Sequence, residues 1–222
     1  MKIFIEGNIG SGKSTIVNFL KSLIELRELN FVVLEEPVDQ WKQFTDDNSK
    51  NILDYFYQDS KRWGYLFQMN AFITRAKLIE QHEKHNILME RSVFSDRYIF
   101  AKNCFEQGLL NKIEWKTYLN WFDWLCDKCN LHEDAFIYLR TSPEKSYERI
   151  LKRNRVEEKQ IPKEYVYQIH QKHEDWFLKQ KQKKNVLILD GDIENSVERL
   201  NEFKKKILEF IVSLLDKSDV YV

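Results

Sequence analysis

A glycine-rich segment near the start of the chain has the spacing of a phosphate-binding loop. Residues 7–14 match G-x-x-x-x-G-K-[ST] and lie between an apolar stretch and a helical pattern. In such a loop the glycines let backbone N–H groups turn toward phosphate oxygens, and the following helix adds its positive end. We predict that Lys13 reaches the terminal phosphate oxygens and that Ser14 binds Mg²⁺. The predicted phosphate-binding residues are Gly7, Asn8, Ile9, Gly10, Ser11, Gly12, Lys13, Ser14 and Thr15.

A carboxylate directly before a proline follows the second apolar run, residues 31–34. The residue before a proline favours an extended conformation, so Glu36 should point outward from the end of this run. A carboxylate within hydrogen-bond reach of an attacking hydroxyl can accept its proton during phosphoryl transfer. We predict that Glu36 is this general base. Glu35 is the competing candidate, and an ordinary acidic loop is the alternative.

Two charged residues, Glu90 and Arg91, end the third apolar run. Glu90 could orient Mg²⁺ through water. Arg91 could bind the transferring phosphate or the acceptor oxygen, because a guanidinium stabilises the charge of a phosphoryl transition state. A simple salt bridge between neighbours is the alternative.

Three arginines lie close together before a pair of glutamates. Arg149 and Arg153 have the i,i+4 spacing of one helical face, and Arg155 follows them. We predict that residues 149–160 form an arginine-rich lid over a triphosphate, which supplies positive charge. A solvated helix is the alternative for such a charge run.

The elements that must position these residues alternate along the chain. Apolar runs, which predict strands, alternate with periodic segments, which predict helices. This alternation is typical of one α/β domain, here residues 1–222, with a parallel sheet and helices on both faces. The functional loops of such a domain lie at the carboxyl ends of the strands. A solvated turn is predicted at 179–184 and a loose tail at 216–222. The predicted strands are 3–5, 31–34, 87–89, 136–139 and 186–189. The predicted helices are 15–27, 62–84, 96–106, 113–129, 143–153, 162–179 and 194–215.

Composition narrows the classes of partner. The 35 basic residues balance the 35 acidic ones, so no overall field would attract a nucleic acid, and no stretch approaches the ~20 apolar residues of a membrane helix. We expect small-molecule partners, no nucleic acid and no membrane. Three cysteines are too few for a disulfide framework, and Cys126 and Cys129 are interpreted as packing residues. Because the first strand begins near Lys2, no targeting segment is predicted and a cytoplasmic location is expected.

Several longer motifs carry a family resemblance over nearly the whole chain, from Ile3 to about Leu215. They are G-N-I-G-S-G-K-S-T (7–15), E-P-V-D-Q-W (36–41), Y-L-F-Q (65–68), E-R-S-V-F-S-D-R-Y-I-F-A (90–101), R-N-R-V-E-E (153–158) and I-P-K-E-Y with H-x-x-H-E-D-W (161–176). These motifs resemble the deoxyribonucleoside kinase family, most closely its deoxycytidine and deoxyguanosine/deoxyadenosine kinase branch. The resemblance implies a P-loop kinase fold with a five-stranded parallel sheet, ATP or another nucleoside triphosphate as donor, Mg²⁺, and a homodimer packed through long helices, which residues 115–125 could serve.

The resemblance also implies a role for each matching residue. Glu36 would be the general base, with Arg91 as its partner at the 5'-hydroxyl. Gln68 would pair with the base edge, and Arg75 and Asp96 would form a charged pair at the far end of the pocket. The sugar 3'-hydroxyl would bind Tyr57 and Glu158, the base would be walled by Trp41, Phe67 and Phe100, and the donor base and phosphates would contact Arg149, Arg153 and Arg155.

Members of the thymidine-preferring branch carry small or apolar residues where Arg75 and Asp96 stand, so the resemblance favours deoxycytidine or a purine deoxynucleoside. Met69 and Asn70 leave the ranking among these open. One alternative is a nucleoside monophosphate kinase of the thymidylate type, which shares the D-R-Y string at 96–98. Glu36 argues against it because a carboxylate would repel a monophosphate. A non-catalytic nucleotide-binding regulatory module is the alternative of another class.

Overall fold

The computed structural model describes residues 1–155, 158, 161–180, 185–194 and 196–219. Its centre is a five-stranded, fully parallel sheet with the strand order β2-β3-β1-β4-β5, which confirms the predicted α/β fold. The strands are β1 (Lys2–Glu6), β2 (Phe31–Leu34), β3 (Asn86–Glu90), β4 (Ala135–Arg140) and β5 (Asn185–Asp190). All five predicted strands are therefore present, four of them slightly longer than predicted.

The middle strand, β1, is buried along its whole length. Because side chains alternate across a strand, Ile3 and Ile5 enter the core on one face and Phe4 enters the core on the other. Burial on both faces explains why the strands are continuous apolar runs. Since β1 lies between β3 and β4, the loop that follows it emerges at the middle of the carboxyl edge, where ligands bind in open parallel sheets.

Helices cover both faces of the sheet. They are α1 (Lys13–Lys21), α2 (Ile24–Glu28), α3 (Val38–Gln43), α4 (Ile52–Gln58), α5 (Ser60–Gln81), α6 (Val93–Ser95), a π-helix (Asp96–Ala101), α7 (Lys102–Glu106), α8 (Lys112–Lys128), α9 (Pro143–Arg153), α10 (Lys163–Gln180) and α11 (Val197–Asp219). In the described part of the chain, none of them has the length and apolar character needed to cross a membrane.

The structure corrects the predicted helices in four places. The helix predicted at 15–27 is divided into α1 and α2. Two short helices, α3 and α4, were not predicted, and the helix predicted at 96–106 contains the π-helical turn. Residues 216–219 of the predicted loose tail belong to the last turn of α11, which extends to Asp219. Residues 220–222, and residues 181–184 of the predicted turn, lie outside the described residues.

Candidate active site

A cavity of about 600 Å³ opens at the carboxyl edge of the sheet and collects most of the predicted site residues. Gly7, Asn8 and Ser11 do not line it. The carbonyl oxygens of Gly7 and Asn8 accept hydrogen bonds from Lys13, and that of Ser11 accepts one from Arg149. The predicted residues that line it are Ile9, Gly10, Gly12, Lys13, Ser14, Thr15, Glu36, Trp41, Tyr57, Phe67, Gln68, Arg75, Glu90, Arg91, Asp96, Phe100, Arg149, Arg153, Arg155 and Glu158.

The glycines of the loop after β1 are required by its conformation. Gly10 has φ 76°, and a Cβ atom there would lie 2.3 Å from the carbonyl oxygen of Ser146. Gly12 has φ 103° and caps the start of α1. A side chain at either position would be strained or would clash, so the loop can turn its backbone toward the cavity only with glycine.

Lys13 is buried beneath this loop. Its Nζ atom donates to the carbonyl oxygens of Gly7 at 3.1 Å and Asn8 at 2.8 Å. Burial lowers the pKa of Lys13 to about 7, and the positive charge of Arg91 adds to the shift. A site that disfavours an unpaired ammonium in this way gains from an anion beside it, which fits a phosphate ligand.

Ser14 and Glu90 meet across the loop. Ser14 Oγ donates to Glu90 Oε1 at 3.0 Å, and burial raises the pKa of Glu90. Mg²⁺ prefers oxygen ligands and is usually bound by one or two protein oxygens together with substrate phosphates and water. The hydroxyl and carboxylate therefore fit Mg²⁺ held jointly with a nucleotide. Among the described residues, no group of three or more His, Cys, Asp or Glu side chains could hold a metal without such a ligand.

Arg91 has a strained backbone, with φ 62° in the left-handed region. Its Nη1 atom donates to the carbonyl oxygen of Gly7 at 3.0 Å, and its Nε atom lies 3.3 Å from Glu36 Oε1. The guanidinium also lies over the Phe100 ring, 4.5 Å from its centroid. These contacts fix a buried positive charge between the loop after β1 and the carboxylate predicted to be the base.

Glu36 contacts two arginines, Arg91 and Arg75. Burial would raise its pKa, but Arg75, Arg91 and Lys13 outweigh burial and hold the pKa of Glu36 below its usual value. Glu36 is therefore a carboxylate at neutral pH. Glu35, the competing candidate, instead forms a 2.5 Å ion pair with Lys21 at the exposed edge of the cavity.

Arg75 departs from the position that the resemblance implied. Its Nη1 atom binds Asp96 Oδ1 at 2.5 Å, as the expected pair requires, but its Nη2 atom also binds Glu36. The Arg75–Asp96 pair is thus also connected to Glu36. Asp96 Oδ2 is buried without a hydrogen-bond partner among the described residues, and Asp96 lines the cavity.

Aromatic side chains and one amide form the apolar part of the cavity. Trp41 and Phe67 meet edge to face at 5.6 Å, and Phe67 stacks on Phe56 at 4.6 Å. Gln68 is buried; its Nε2 atom contacts Cys104 Sγ at 3.8 Å, and its Oε1 atom has no partner in the described structure. A flat ring between the aromatic walls could therefore bind the open side of this amide.

Tyr57 and Glu158 lie on the side of the cavity near the predicted lid. Burial, together with the negative charge of Glu158, raises the pKa of Tyr57, so its hydroxyl is protonated and can donate. Glu158 binds Arg153 with a shortest distance of 2.6 Å and lies 3.6 Å from Arg155. In this conformation the two arginines pair with Glu158 at the wall of the cavity.

Arg149 of the predicted lid lines the cavity and is held by backbone carbonyl groups. Its guanidinium donates to the carbonyl oxygens of Ser11 at 3.1 Å, Gly191 at 2.7 Å and Ile193 at 3.1 Å. It therefore fastens α9 to the phosphate loop and to the segment after β5, which is a fixed position. Residues 156, 157, 159 and 160 of the predicted lid lie outside the described residues.

Three residues near the predicted ones, Phe56, Glu6 and Cys104, were missed. Phe56 lies on α4, whose start at Asn51 is marked by a capping box with Asp54, and this N-x-x-D signal could have located the helix. Glu6 ends β1 as Glu90 ends β3, and an acidic residue at the carboxyl edge of a buried strand is the signal that could have found it. Cys104, beside Gln68, has no local signal.

Comparison with known proteins decides the family to which this site belongs. The family model described as deoxynucleoside kinase matches residues 3–214. The chain belongs to the deoxynucleoside kinase family. The chain is 38% identical to human deoxycytidine kinase, over 96% of this chain and 92% of the relative. It is also 38% identical to a probable deoxycytidine kinase of fowlpox virus, over 96% of this chain and 89% of the relative. Human mitochondrial thymidine kinase 2 is 34% identical, over 93% of this chain and 77% of the relative.

This deoxynucleoside kinase is therefore a phosphotransferase with the P-loop kinase fold, and its substrates are a nucleoside and a nucleoside triphosphate donor. The match extends over all five strands, so it includes the phosphate loop, Glu36, Arg91 and the aromatic walls. Both the resemblance and the expected enzyme class are confirmed.

Proposed function

We propose that this deoxynucleoside kinase transfers the terminal phosphoryl group of ATP, or another nucleoside triphosphate, to the 5'-hydroxyl of a deoxynucleoside, with deoxycytidine or a purine deoxynucleoside preferred over thymidine. The observation that carries the proposal is the contact of Glu36 with Arg91, 3.3 Å apart, in the cavity that the phosphate loop also lines. A carboxylate and a guanidinium are thus held where an acceptor hydroxyl would meet a donor phosphate.

In the proposed reaction, the 5'-hydroxyl donates a hydrogen bond to Glu36, which orients the oxygen and takes its proton as the bond to phosphorus forms. Arg91 binds the oxygens of the transferring group, and Lys13 binds the donor phosphates as their charge moves toward the leaving group. Ser14 and Glu90 would hold Mg²⁺, which would supply further neutralisation of the donor phosphates. Tyr57 and Glu158 bind the 3'-hydroxyl and thereby set the distance between the sugar and the general base, Glu36.

A free hydroxyl fits this site better than a monophosphate acceptor. The two cations beside Glu36 are already paired: Arg75 binds Glu36 and Asp96, and Arg91 binds Glu36. A monophosphate would have to replace these contacts while lying next to the carboxylate of Glu36, and like charges at such distances repel strongly in a buried site. The thymidylate-type alternative is therefore not favoured.

The preferred base follows from the hydrogen-bonding groups at the end of the cavity. Cytosine, adenine and guanine each carry an exocyclic amine, whereas thymine carries none. Asp96 Oδ2 and Gln68 Oε1 are buried acceptors without a partner among the described residues. An exocyclic amine can satisfy such an acceptor, but a thymine carbonyl would leave it unpaired.

Initial rates with Mg-ATP and each of the four deoxynucleosides test this preference. We expect kcat/KM for at least one amine-bearing deoxynucleoside to exceed that for thymidine by roughly tenfold or more, because unpaired buried acceptors penalise the wrong base. Thymidine as the best of the four substrates would contradict the assignment of Asp96 and Gln68.

We also propose that residues 1–222 act as one cytoplasmic domain that assembles as a homodimer. The dimer is supported by Trp121 and Trp124 of α8, which are 45% and 51% exposed and contact each other. Large exposed aromatic groups of this kind mark interaction surfaces. Sedimentation should give twice the chain mass of 27.0 kDa, and a monomer at micromolar concentration would contradict the dimer.

Fractionation of the source cells tests the proposed cytoplasmic location.

A further inference from the structure

Glu6, the last residue of β1, is a fully buried carboxyl group to which the proposed reaction gives no role. Its Oε1 atom accepts two hydrogen bonds from one residue, from the backbone N–H of Ser92 at 2.8 Å and from the Ser92 hydroxyl at 2.6 Å. Its Oε2 atom has no partner in the described part of the chain. Both hydrogen bonds are thus donated by the residue that follows Arg91.

Arg91 is the residue with the least favourable backbone at the reaction centre, since its φ of 62° is unusual for a long side chain. Such a conformation persists only where the surrounding structure holds it. The N–H of Arg91 donates to the carbonyl oxygen of Ile5 at 3.0 Å, and the next N–H, that of Ser92, donates to Glu6. Two consecutive residues of β1 therefore hold the two peptide groups on either side of the strained Cα atom.

The direction of the Arg91 side chain depends on this backbone conformation. From it the guanidinium reaches Gly7 O at 3.0 Å, Glu36 at 3.3 Å and the face of Phe100. Relaxation of φ to the ordinary negative region would change the direction of the Cα–Cβ bond and move the guanidinium away from these three partners. A displacement of about 1 Å at a reacting centre is enough to slow catalysis strongly.

We propose that Glu6 is a positioning residue for catalysis: through Ser92 it holds Arg91 in the left-handed conformation that places the guanidinium beside Glu36. This inference rests on the proposed function, because it assumes that Arg91 acts on the transferring phosphate. Burial raises the pKa of Glu6 even though the charge of Arg91 opposes the shift. A carboxamide has the shape of a carboxyl group and keeps an acceptor oxygen for Ser92, so Gln is the conservative replacement.

The test compares Glu6→Ala with Glu6→Gln in steady-state kinetics with Mg-ATP and the best deoxynucleoside. Glu6→Ala removes the acceptor of both Ser92 bonds, and we expect kcat to fall roughly 10- to 100-fold with little change in KM for ATP. Glu6→Gln keeps an acceptor oxygen for Ser92, and we expect it to retain most of kcat. If Glu6→Gln lost kcat as strongly as Glu6→Ala, the charge of the carboxylate would be the important property rather than its hydrogen bonds with Ser92, and the inference would be overturned.

Tyr138→Phe is the matched control for a general loss of stability. Tyr138 is the partner of Glu6 in the neighbouring strand, is equally buried, and donates one hydrogen bond to Glu174 at 2.7 Å. It should lower the melting temperature but keep kcat. Equal losses of kcat in Tyr138→Phe and Glu6→Ala, or an unchanged kcat in folded Glu6→Ala, would overturn the inference.

If Glu6→Ala does not fold, Ser92→Ala replaces it, since this variant removes the hydroxyl bond to Glu6, together with the bond that the same hydroxyl accepts from the Ser95 N–H at the start of α6. A fall in kcat for Ser92→Ala supports the inference, and a kcat equal to that of Tyr138→Phe overturns it. An unmodified enzyme without activity on any deoxynucleoside would instead show that the proposed function is wrong, an outcome that these comparisons keep separate.

Discussion

Glu36→Gln is expected to lower kcat by roughly 10²- to 10⁴-fold, the usual contribution of a general base. The amide is close in shape to the carboxyl group, but it cannot take a proton from the acceptor hydroxyl and it no longer neutralises Arg75 and Arg91. Donor binding should persist, because Glu36 contacts the acceptor side of the cavity. Single-turnover rates with the best deoxynucleoside, together with a nucleotide-binding titration, measure the two effects separately.

Glu35→Gln is the matched control for this prediction. Glu35 is the adjacent carboxylate, but it faces Lys21 at the exposed edge, so its variant should turn over at close to the unmodified rate. The pH dependence gives a second check. Because the pKa of Glu36 is held below its usual value, activity should persist at neutral pH and disappear only as the pH falls through that lowered pKa. If Glu35→Gln caused a large loss of kcat and Glu36→Gln only a small one, Glu35 rather than Glu36 would be the general base.

Lys13→Ala is expected to give the second large effect, a loss of roughly 10²- to 10³-fold in kcat, as for removal of one preorganised donor to a transition state. Lys13 is only 4% exposed and is held under the phosphate loop by Gly7 O and Asn8 O, so no other side chain can replace its charge without rearrangement. The affinity for the triphosphate should weaken as well.

Lys21→Ala provides the comparison for Lys13→Ala. Both lysines belong to α1, but Lys21 is at the opposite end and its side chain is 42% exposed. Loss of its surface ion pair should change stability by no more than about 1 kcal/mol and should leave catalysis intact. If the two variants had the same triphosphate affinity and the same kcat, Lys13 would not be part of the phosphate site.

What the sequence predicts well in this protein is local. The phosphate loop is contiguous, and its strand and helix adjoin it, so residue types at 7–15 were enough to locate it. The strands β1, β3 and β4 are apolar runs because they are almost fully buried, and the partly buried edge strands β2 and β5 are apolar runs as well, so composition was enough to find all five. Helix α9 was predicted with the bounds that the structure has, since Ser142 and Pro143 mark its start and Asn154 its end.

What could not be predicted depends on contacts between distant parts of the chain. Arg75 binds Glu36 across 39 positions of sequence, and Glu6 binds Ser92 across 86. No local pattern records such a contact. The left-handed backbone of Arg91 was missed for the same reason, because it is held by neighbouring strands rather than by its own sequence.

Short helices form a second class of omission. Helices α3 and α4 contain 6 and 7 residues, too few to show a helical period, and most of their stability comes from packing of Trp41 and Phe56 into the core. The π-helix at Asp96–Ala101 interrupts what the sequence presents as one periodic segment. Such insertions are frequent at functional sites, and this one carries Asp96 and Phe100 into the cavity.

The most direct test of the central claim is the choice of acceptor. Purified protein with Mg-ATP is given, in separate assays, each of the four deoxynucleosides, deoxycytidine 5'-monophosphate or thymidine 5'-monophosphate, and the products are separated and quantified. The site geometry predicts phosphorylation of a free 5'-hydroxyl, with deoxycytidine or a purine deoxynucleoside converted to its monophosphate and neither monophosphate converted to a diphosphate. Diphosphate formation from a monophosphate, with no product from any free deoxynucleoside, would contradict the roles assigned to Glu36 and Arg91.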